Sequence, residues 1–450
     1  MPSRLFFFAI TSALAGFLFG FDTVVISGAE QRIQALWNLS PAMHGFALAS
    51  ALYGTVLGAL FGGWPSDKFG RKKTLIAIGV LYLLSAIASA LAWDIYSFAI
   101  ARFIGGVGIG VSTVAAPLYI SEISPPEKRG RLTALFQFNI VFGIVIAFVS
   151  NALLANIGDQ AWRWMLGVEA FPALIYTLLC LLIPESPRWL LNIKKDRPTA
   201  LAVMRSVNPD TPRTDLENLA DEIVSAADQS RARTDGFWSK PLRIPVMLAF
   251  LVAFFNQLSG INAILYFAPR IFELTGLGAQ AALLQSIGIG ITNLIFTLLG
   301  VYLIDRLGRR TLLFIGSYGY ILSLGLCSWA FFTERFAIVP LCIFAFIAAH
   351  AIGQGAVIWV LISEVFPDRF RASGQAFGSF THWIFAALLT TFFPSMVAAF
   401  APGYVFLFFC GMMVLQLIWV KTMVPETKGV PLEQLQRRLG TEPLTQGTPA

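Results

Sequence analysis

Charged residues are scarce in this sequence. Asp, Glu, Lys and Arg make up only 13% of its 450 residues, whereas soluble globular proteins carry about 25%. Hydrophobic residues make up 56%, including 40 Phe and 11 Trp, and this is far more apolar surface than one soluble core of this length needs. The composition therefore excludes an ordinary soluble protein and indicates an integral membrane protein.

Cysteine and histidine are also rare, which argues against several kinds of site. The four cysteines lie in apolar segments without CxxC spacing, and the three histidines are scattered, so we expect neither a disulfide framework nor a metal site. The glycine-rich stretch RFIGGVGIG (102–110) lacks GxGxxG spacing, and close helix packing is its better interpretation. With no Walker motif and no Ser-His-Asp arrangement, we expect neither an enzyme nor a cofactor, and energy must come from a gradient rather than ATP.

Twelve apolar stretches are long enough to cross a bilayer, which takes about 20 residues. The first is too long for the apolar region of a signal peptide and is interpreted as a membrane helix. The stretches lie near 5–28, 43–65, 74–92, 98–119, 133–156, 163–183, 243–266, 281–304, 311–332, 337–361, 374–397 and 402–423.

Short basic clusters follow spans 2, 4, 8 and 10, as the positive-inside rule predicts for cytoplasmic loops. Both termini are therefore expected in the cytoplasm. Because the basic residues form no single patch, the net charge of +7 does not indicate nucleic-acid binding.

The two halves of the chain repeat each other. DKFGRKK (67–73) recurs as DRLGRR (305–310), ISEISPPEKRG (120–130) as ISEVFPDRFRASG (362–374), and PESPRWL (184–190) as PETKG (425–429), at offsets of 238, 242 and 241 residues. Two six-helix bundles related in this way are the architecture of many secondary transporters. We therefore predict an all-α membrane protein with bundles at 1–193 and 241–427, a linker at 194–240 and a tail at 428–450.

The linker contains a pattern typical of an amphipathic helix. In DLENLADEIVSAAD (215–228), the residues at helical spacing are Leu216, Leu219, Ala220, Ile223 and Ala227. A short helix on the cytoplasmic face is predicted, either as a plain connection between the bundles or as a clamp on them.

One carboxylate lies inside the first apolar stretch. Asp22 interrupts an uncharged run that begins at Leu5, and a carboxylate at the centre of a membrane helix costs roughly 2.5–3.5 kcal/mol. Such groups usually face a cavity and pair, and Arg102 in span 4 is the candidate partner. Burial raises the pKa of a carboxyl, whereas a nearby guanidinium lowers it. A transport cycle in which the aspartate and the arginine alternately pair and separate would therefore carry a proton. A static structural pair is the alternative.

The motifs together resemble those of one known family. GFDTVVISGA, DKFGRKK, PLYISEISPPEKRG, PESPRWL, NQLSGINAILYF, DRLGRR, GQGAVIWVLISEVFP and VPETKG occur in this order, and the sequence resembles the sugar porter family of the major facilitator superfamily over essentially its whole length. Symporters of that family keep an Asp at the place of Asp22, whereas facilitative members have a neutral residue there. Glu169 in span 6 also matches a position of proton-coupled members.

The resemblance also implies a sugar site. Amides carry both donor and acceptor for sugar hydroxyls, and aromatic rings can cover the apolar face of a sugar. The positions that match sugar contacts of the family are Gln137, Gln257, Asn262, Asn293, Trp359 and Trp383. Two positions depart from the family pattern, Asn256 in place of a glutamine and His382 in place of an asparagine, and either can alter which sugar fits.

Several of these residues have a second interpretation. The span-7 amides spread over about 220° of an ideal helix, so a break at Ser259-Gly260 is needed to re-aim them. Otherwise they only join helices. His382 and Trp359 can be plain packing residues, and Tyr266, which matches an outer-gate position of the family, can belong to an interfacial aromatic belt.

By resemblance, the repeated charge motifs form ion pairs between helices on the cytoplasmic side that lock the outward-open state. Topology determination by Lys and Arg alone is the alternative. The residues concerned are Asp67, Arg71, Glu122, Arg129, Glu185, Arg188, Asp305, Arg309, Glu364 and Arg371.

The leading hypothesis from the sequence is a proton–monosaccharide symporter that works by alternating access. It is expected as a monomer in the plasma (inner) membrane, with lipid, sugar and protons as its partners. An uncoupled facilitator is the first alternative. A non-transporting sugar sensor is the second.

Overall fold

The computed structural model describes residues 3–209, 211–231, 236–367, 370–430, 434–435 and 438–439. Within these ranges every regular element is a helix. The helices up to the linker are α1 (Ser3–Leu36), α2 (Pro41–Phe61), α3 (Gly63–Phe69), α4 (Arg71–Ala90), α5 (Ile95–Ile123), α6 (Pro126–Leu154), α7 (Ala161–Gly167), α8 (Ala170–Leu182), α9 (Pro187–Trp189), α10 (Arg197–Val207) and α11 (Arg213–Arg231). The later helices are α12 (Arg243–Leu258), α13 (Ile261–Tyr266), α14 (Ala268–Glu273), α15 (Ala279–Leu307), α16 (Arg309–Phe332), α17 (Val339–His350), α18 (Ala356–Val365), α19 (Arg371–Ala399) and α20 (Pro402–Thr422).

Twelve of these helices or helix pairs are long and apolar enough to cross a membrane, which confirms the predicted all-α architecture. The main difference lies in the first span. It was expected to end near residue 28, but α1 continues to Leu36. The hydropathy pattern stops where Glu30 and Gln34 begin to alternate with apolar residues, whereas the helix continues because both polar side chains have partners.

The chain forms two compact units. Unit 1 comprises Met1–Arg233, Leu265–Arg270 and Gly278–Gly290. Unit 2 comprises Thr234–Ile264, Ile271–Leu277 and Ile291–Ala450. The predicted tail at 428–450 lies mostly outside the described residues.

Helices in unit 1 approach each other closely at glycines. A Cβ added to Gly106 of α5 would lie 1.8 Å from the carbonyl oxygen of Ala51 in α2. A Cβ added to Gly20 of α1 would lie 1.8 Å from the carbonyl oxygen of Ile140 in α6. The glycines of the stretch 102–110 therefore allow close helix packing. This packing fixes the position of α5, the helix that carries Arg102.

In unit 2, two of the spans depart from regular α-helix. The seventh span ends a helix at Leu258 and resumes at Ile261, with Gly260 at φ +91°, a conformation that glycine adopts readily and other residues rarely do. The tenth span contains a π-helical turn at Ala351–Gly355, a feature often found near functional sites.

The linker contains two helices where the sequence predicted one. Leu216, Ala220 and Ile223 of α11 are buried in a small core that α10 and the segment 190–191 complete, as expected from their spacing. Leu219 is 38% exposed, and the side chain of Ala227 lies outside the described residues. The second helix, α10, was missed, although it buries Ala200, Val203, Met204 and Val207 at helical spacing.

Candidate proton and sugar sites

The proton-site candidates Asp22 and Arg102 form a buried ion pair in unit 1. Asp22 lies on α1 and Arg102 on α5, and they are 1% and 2% exposed. Arg102 Nη1 donates to Asp22 Oδ1, and Nη2 donates to the backbone oxygen of Asp22 at 3.1 Å. The pairing inferred from two isolated charges is therefore present.

Glu169 brings a second carboxyl to this pair. It lies between α7 and α8, is 2% exposed, and its carboxyl is within hydrogen-bonding reach of that of Asp22. Asp22 Oδ2 and Glu169 Oε1 are both buried and receive no hydrogen bond from the described residues. A proton bound to either carboxyl supplies the missing donor, because two carboxylates cannot bond to each other without one.

Tyr266 is a further buried residue of unit 1 that interacts with these charges. It ends α13, is 1% exposed, and lies within electrostatic reach of Arg102 and Asp22. The residue that was expected at an outer gate is thus buried and within electrostatic range of these charges.

The span-7 amides of unit 2 converge on Gln257. Gln257 Nε2 donates to Asn256 Oδ1 at 2.9 Å, and Gln257 Oε1 accepts from Asn262 Nδ2 at 2.6 Å. On an uninterrupted helix these side chains would point in different directions. The break at Ser259-Gly260 re-aims them, and Ser259 Oγ stabilises the end of α12 by donating to the Asn256 carbonyl at 2.6 Å.

His382 connects the amides to two tryptophans. Its ring nitrogens lie 3.1 and 3.2 Å from Gln257 Nε2. The centroid of its ring is 5.2 Å from that of Trp359 and 4.7 Å from that of Trp383. Amide donors and acceptors therefore lie beside aromatic faces, which is the combination that a sugar requires.

Two residues that were predicted to contact the sugar, Asn293 and Gln137, take no part in the hydrogen bonds just described. Asn293 of α15 accepts from Thr297 Oγ1 of its own helix at 3.3 Å. Gln137 is half-buried on α6 of unit 1. Their assignment to the sugar site stays a prediction.

The repeated charge motif of unit 1 centres on Arg71. Its guanidinium donates to both oxygens of Glu122 at 2.9 Å and to Asp67 Oδ1 at 3.0 Å. Among the described residues, Glu185 makes no ion pair of this kind. Its carboxylate accepts from the backbone N–H groups of Arg71 and Lys72 at 2.8 and 3.1 Å. Burial raises the pKa of Glu185, and these N–H groups and the nearby Arg71 charge oppose that rise.

Unit 2 repeats this arrangement around Arg309. The guanidinium donates to Glu364 at 2.8 and 3.1 Å and to Asp305 at 3.1 Å, while Glu426 accepts from the backbone N–H of Arg309 at 2.9 Å. Thr427 Oγ1 donates to Glu364 at 2.6 Å. Ser186 Oγ makes the corresponding bond to Glu122 in unit 1.

Two of the remaining arginines of the motif contact helix ends. Arg129 Nε donates to the Ser121 carbonyl at 3.1 Å, and Arg371 Nε to the Ser363 carbonyl at 2.9 Å. Arg188 is half-buried; burial lowers its pKa, and the positive charge of Arg129 acts in the same direction. The motif residues therefore stabilise helix ends as well as forming ion pairs.

A second buried ionic cluster in unit 1 was missed from the sequence. Glu30 and His44 are both fully buried, and Arg270 joins them. Glu30 falls outside the first span as it was drawn from hydropathy, so it was not considered as an intramembrane charge. The combination of Glu30 with His44 at the start of the next apolar stretch was the available signal.

Comparison with known proteins places the whole chain among transporters. Residues 8–439 match the family described as "Sugar (and other) transporter". The arabinose-proton symporter of Bacillus subtilis (strain 168) is 35% identical over 436 residues, which cover 95% of this chain and 93% of that protein. The D-xylose-proton symporter of Escherichia coli (strain K12) is 34% identical over 477 residues, covering 96% and 95%. A solved structure of the xylose transporter XylE from E. coli, in a partially occluded inward-open conformation, has a TM-score of 0.85 at 30% identity and covers 95% of this chain and 100% of that one.

Proposed function

The chain belongs to the sugar transporter family of the major facilitator superfamily, and we propose that it carries a monosaccharide together with protons across the membrane by alternating access. It is not an enzyme, since the family and the relatives are transporters. The observation that carries the proton coupling is the buried group of Asp22, Glu169 and Arg102.

The charges of this group do not balance without a proton. Two ionised carboxyls and one guanidinium give a net charge of −1 in a site that is 1–2% exposed. An uncompensated buried charge is strongly unfavourable, and binding one proton removes it. When the site opens to water, solvation of the carboxylates favours release of that proton.

Sugar binding is assigned to the amide and aromatic group of unit 2. Gln257 is already engaged by Asn256, Asn262 and His382, so sugar hydroxyls can replace these partners without leaving buried groups unpaired. Asn256 and His382, the two departures from the family pattern, lie in this group, and we propose that they determine which sugar is accepted.

An uncoupled facilitator is not favoured, because it has no use for a buried acid at residue 22 and the relatives named above are proton symporters. A sensor that binds sugar without moving it is the remaining candidate, and it would give no uptake. We place the protein in the plasma membrane, as the bacterial symporter relatives suggest, and propose that it works as a monomer. The basic loops support the placement of both termini in the cytoplasm.

The test compares two assays on proteoliposomes that contain Asp22→Asn. Sugar accumulation driven by an imposed proton gradient should be lost, while counterflow, which needs no net proton movement, should be retained. The matched control is Asp159→Asn, which removes a carboxylate that is 91% exposed and should change neither assay. Gradient-driven accumulation that persists in Asp22→Asn would overturn the proposal. A panel of pentoses, hexoses and inositol identifies the sugar.

A further inference from the structure

Three chain segments of unit 1 meet at the carboxylate of Glu30, near the end of α1. His44 Nε2 of α2 lies 2.7 Å from Glu30 Oε2. Arg270 of α14 donates to both oxygens, from Nε at 2.9 Å and from Nη2 at 2.8 Å. Nη2 also donates to Gln34 Oε1 at 2.6 Å. A two-pronged bond of this kind is among the strongest between side chains and is sensitive to geometry.

The charges of this cluster balance, in contrast to those around Asp22. Glu30 and Arg270 cancel, and His44 fits as a neutral ring that donates from Nε2. Its Nδ1 is buried and has no partner among the described residues, which a lone pair tolerates better than an N–H group would. The cluster therefore needs no proton from outside and suits a mechanical role.

The segment Leu265–Arg270 interacts with the remainder of unit 1 near both ends. At one end Tyr266 is within electrostatic range of Arg102 and Asp22, and at the other Arg270 bonds Glu30. Between them, the ring of Phe267 packs edge-on against His44, with centroids 6.2 Å apart. Asp22 and Glu30 are two helical turns apart on α1, about 12 Å along its axis, so the segment interacts with groups at two levels of that helix.

We propose that Glu30, His44 and Arg270 form a latch that holds this segment in place and keeps Tyr266 within electrostatic range of Asp22 and Arg102. Glu30 is thereby a positioning residue for proton coupling, and it acts through the segment rather than on the proton. Release of Arg270 frees the segment and exposes the Asp22 face of α1. This inference rests on the proposed function, because it assigns the latch to the transport cycle.

The test measures labelling of a cysteine placed beneath the segment. Ile26 is fully buried and lies on α1 at about 40° from Asp22 and about 40° from Glu30 on an ideal helix. In Ile26→Cys, a maleimide dye should react slowly with the purified full-length protein, after subtraction of the parent chain with its native cysteines. Adding Arg270→Gln should raise the rate by about tenfold, as a moderate shift in an opening equilibrium does.

Three controls make the result specific. Val25 is also fully buried on α1, at about 100° from Ile26 on an ideal helix, and Val25→Cys should stay unlabelled with or without Arg270→Gln. Arg32→Gln removes a half-exposed cation from the same helix and should leave Ile26→Cys slow. Arg270→Lys keeps the positive charge but cannot make the two-pronged bond to Glu30, and it should give an intermediate labelling rate.

Folding of each variant is checked by a monodisperse elution profile and by sugar counterflow. A folded Arg270→Gln variant in which Ile26→Cys reacts no faster overturns the latch, and so does equal acceleration at Val25→Cys, which indicates general loosening. Labelling needs neither sugar nor a proton gradient, so its outcome is distinguishable from failure of symport in the Asp22→Asn experiment.

Discussion

The two units share one arrangement of arginine–carboxylate bonds, here called the charged framework. They differ in the polar groups that are buried inside each unit. Arg71 with Glu122 and Arg309 with Glu364 make the same forked bonds, and Ser186 and Thr427 donate to the same acceptors. Sequence repetition is thus matched by repetition of geometry. It shows that the Glu residues recur because each is the acceptor for an Arg, a role that topology determination by cations alone does not explain.

The interiors have no such match. Unit 1 buries two carboxyls and a guanidinium around Asp22, whereas the group around Gln257 in unit 2 is made of neutral amides, an imidazole and indoles. A shared framework with different contents supports the proposed division of labour. Under that proposal the charges that bind protons lie in unit 1, and the donors and acceptors for sugar hydroxyls lie in unit 2.

The largest effect is expected when the charge balance of unit 1 is broken at Arg102. Arg102→Gln leaves two buried carboxyls without a cation, and breaking a buried pair in this way costs about 3–5 kcal/mol. Thermal unfolding of the purified protein should occur at a much lower temperature, and uptake should fall to background.

The double variant Asp22→Asn with Arg102→Gln separates stability from coupling. Because it removes both charges of the pair, most of the lost stability should return while gradient-driven accumulation does not. If Arg102→Gln alone unfolds at the parental temperature, the balance of charge described above is wrong.

The next largest effect is expected in unit 2 and should be of a different kind. Gln257→Ala removes the hub of the amide group and leaves Asn256 and Asn262 without their shared partner, at a cost of about 1–3 kcal/mol in sugar binding. The KM for sugar should rise by about 5- to 150-fold, while the number of protons carried per sugar stays the same.

Gln416→Ala is the matched control for that variant. Gln416 is a buried glutamine of unit 2 that bonds Gln354 and Ser317 at 2.9 and 2.8 Å, neither of which belongs to the amide group. Its loss should lower the unfolding temperature without changing KM. A change in proton stoichiometry in Gln257→Ala would contradict the division of labour.

Much of this contrast is visible in the sequence, because apolar runs make isolated polar residues conspicuous. This contrast identified Asp22, Arg102 and the span-7 amides. The pair Ser259-Gly260 predicted the helix break that brings the amides together. The twelve spans are confirmed.

The remainder depends on tertiary partners that hydropathy does not record. Helix α1 extends to Leu36 because Glu30 pairs with Arg270, a residue 240 positions away in the sequence. Glu185 was grouped with the ion-pairing residues, but its acceptors face backbone N–H groups, and a sequence motif cannot distinguish a side-chain partner from a backbone one. The π-helical turn at Ala351–Gly355 likewise has no sequence signal that we recognised.

A smaller effect, nearly equal in both units, is expected at the framework. Glu122→Gln and Glu364→Gln each weaken the forked bond to an arginine, and each should cost about 1–3 kcal/mol of stability. The effect in unit 1 should be the larger, because Glu122 is 9% exposed and Glu364 is 22% exposed. Unfolding temperatures measured side by side test this order. A loss in only one unit would mean that the repeated geometry has different roles.

The smallest effect is expected at the outer carboxylates of the same framework. Asp67 and Asp305 pair with Arg71 and Arg309 four residues further along the chain, on the next helix, but they are 67% and 82% exposed. Exposed ion pairs contribute about 0.2–1 kcal/mol and are screened by salt. Asp67→Asn and Asp305→Asn should therefore shift the unfolding temperature slightly at low ionic strength and not measurably at high ionic strength. If either variant destabilises the protein as much as its neighbouring Glu→Gln change, the arginine depends on the exposed carboxylate as strongly as on the buried one, and burial does not set the order of these effects.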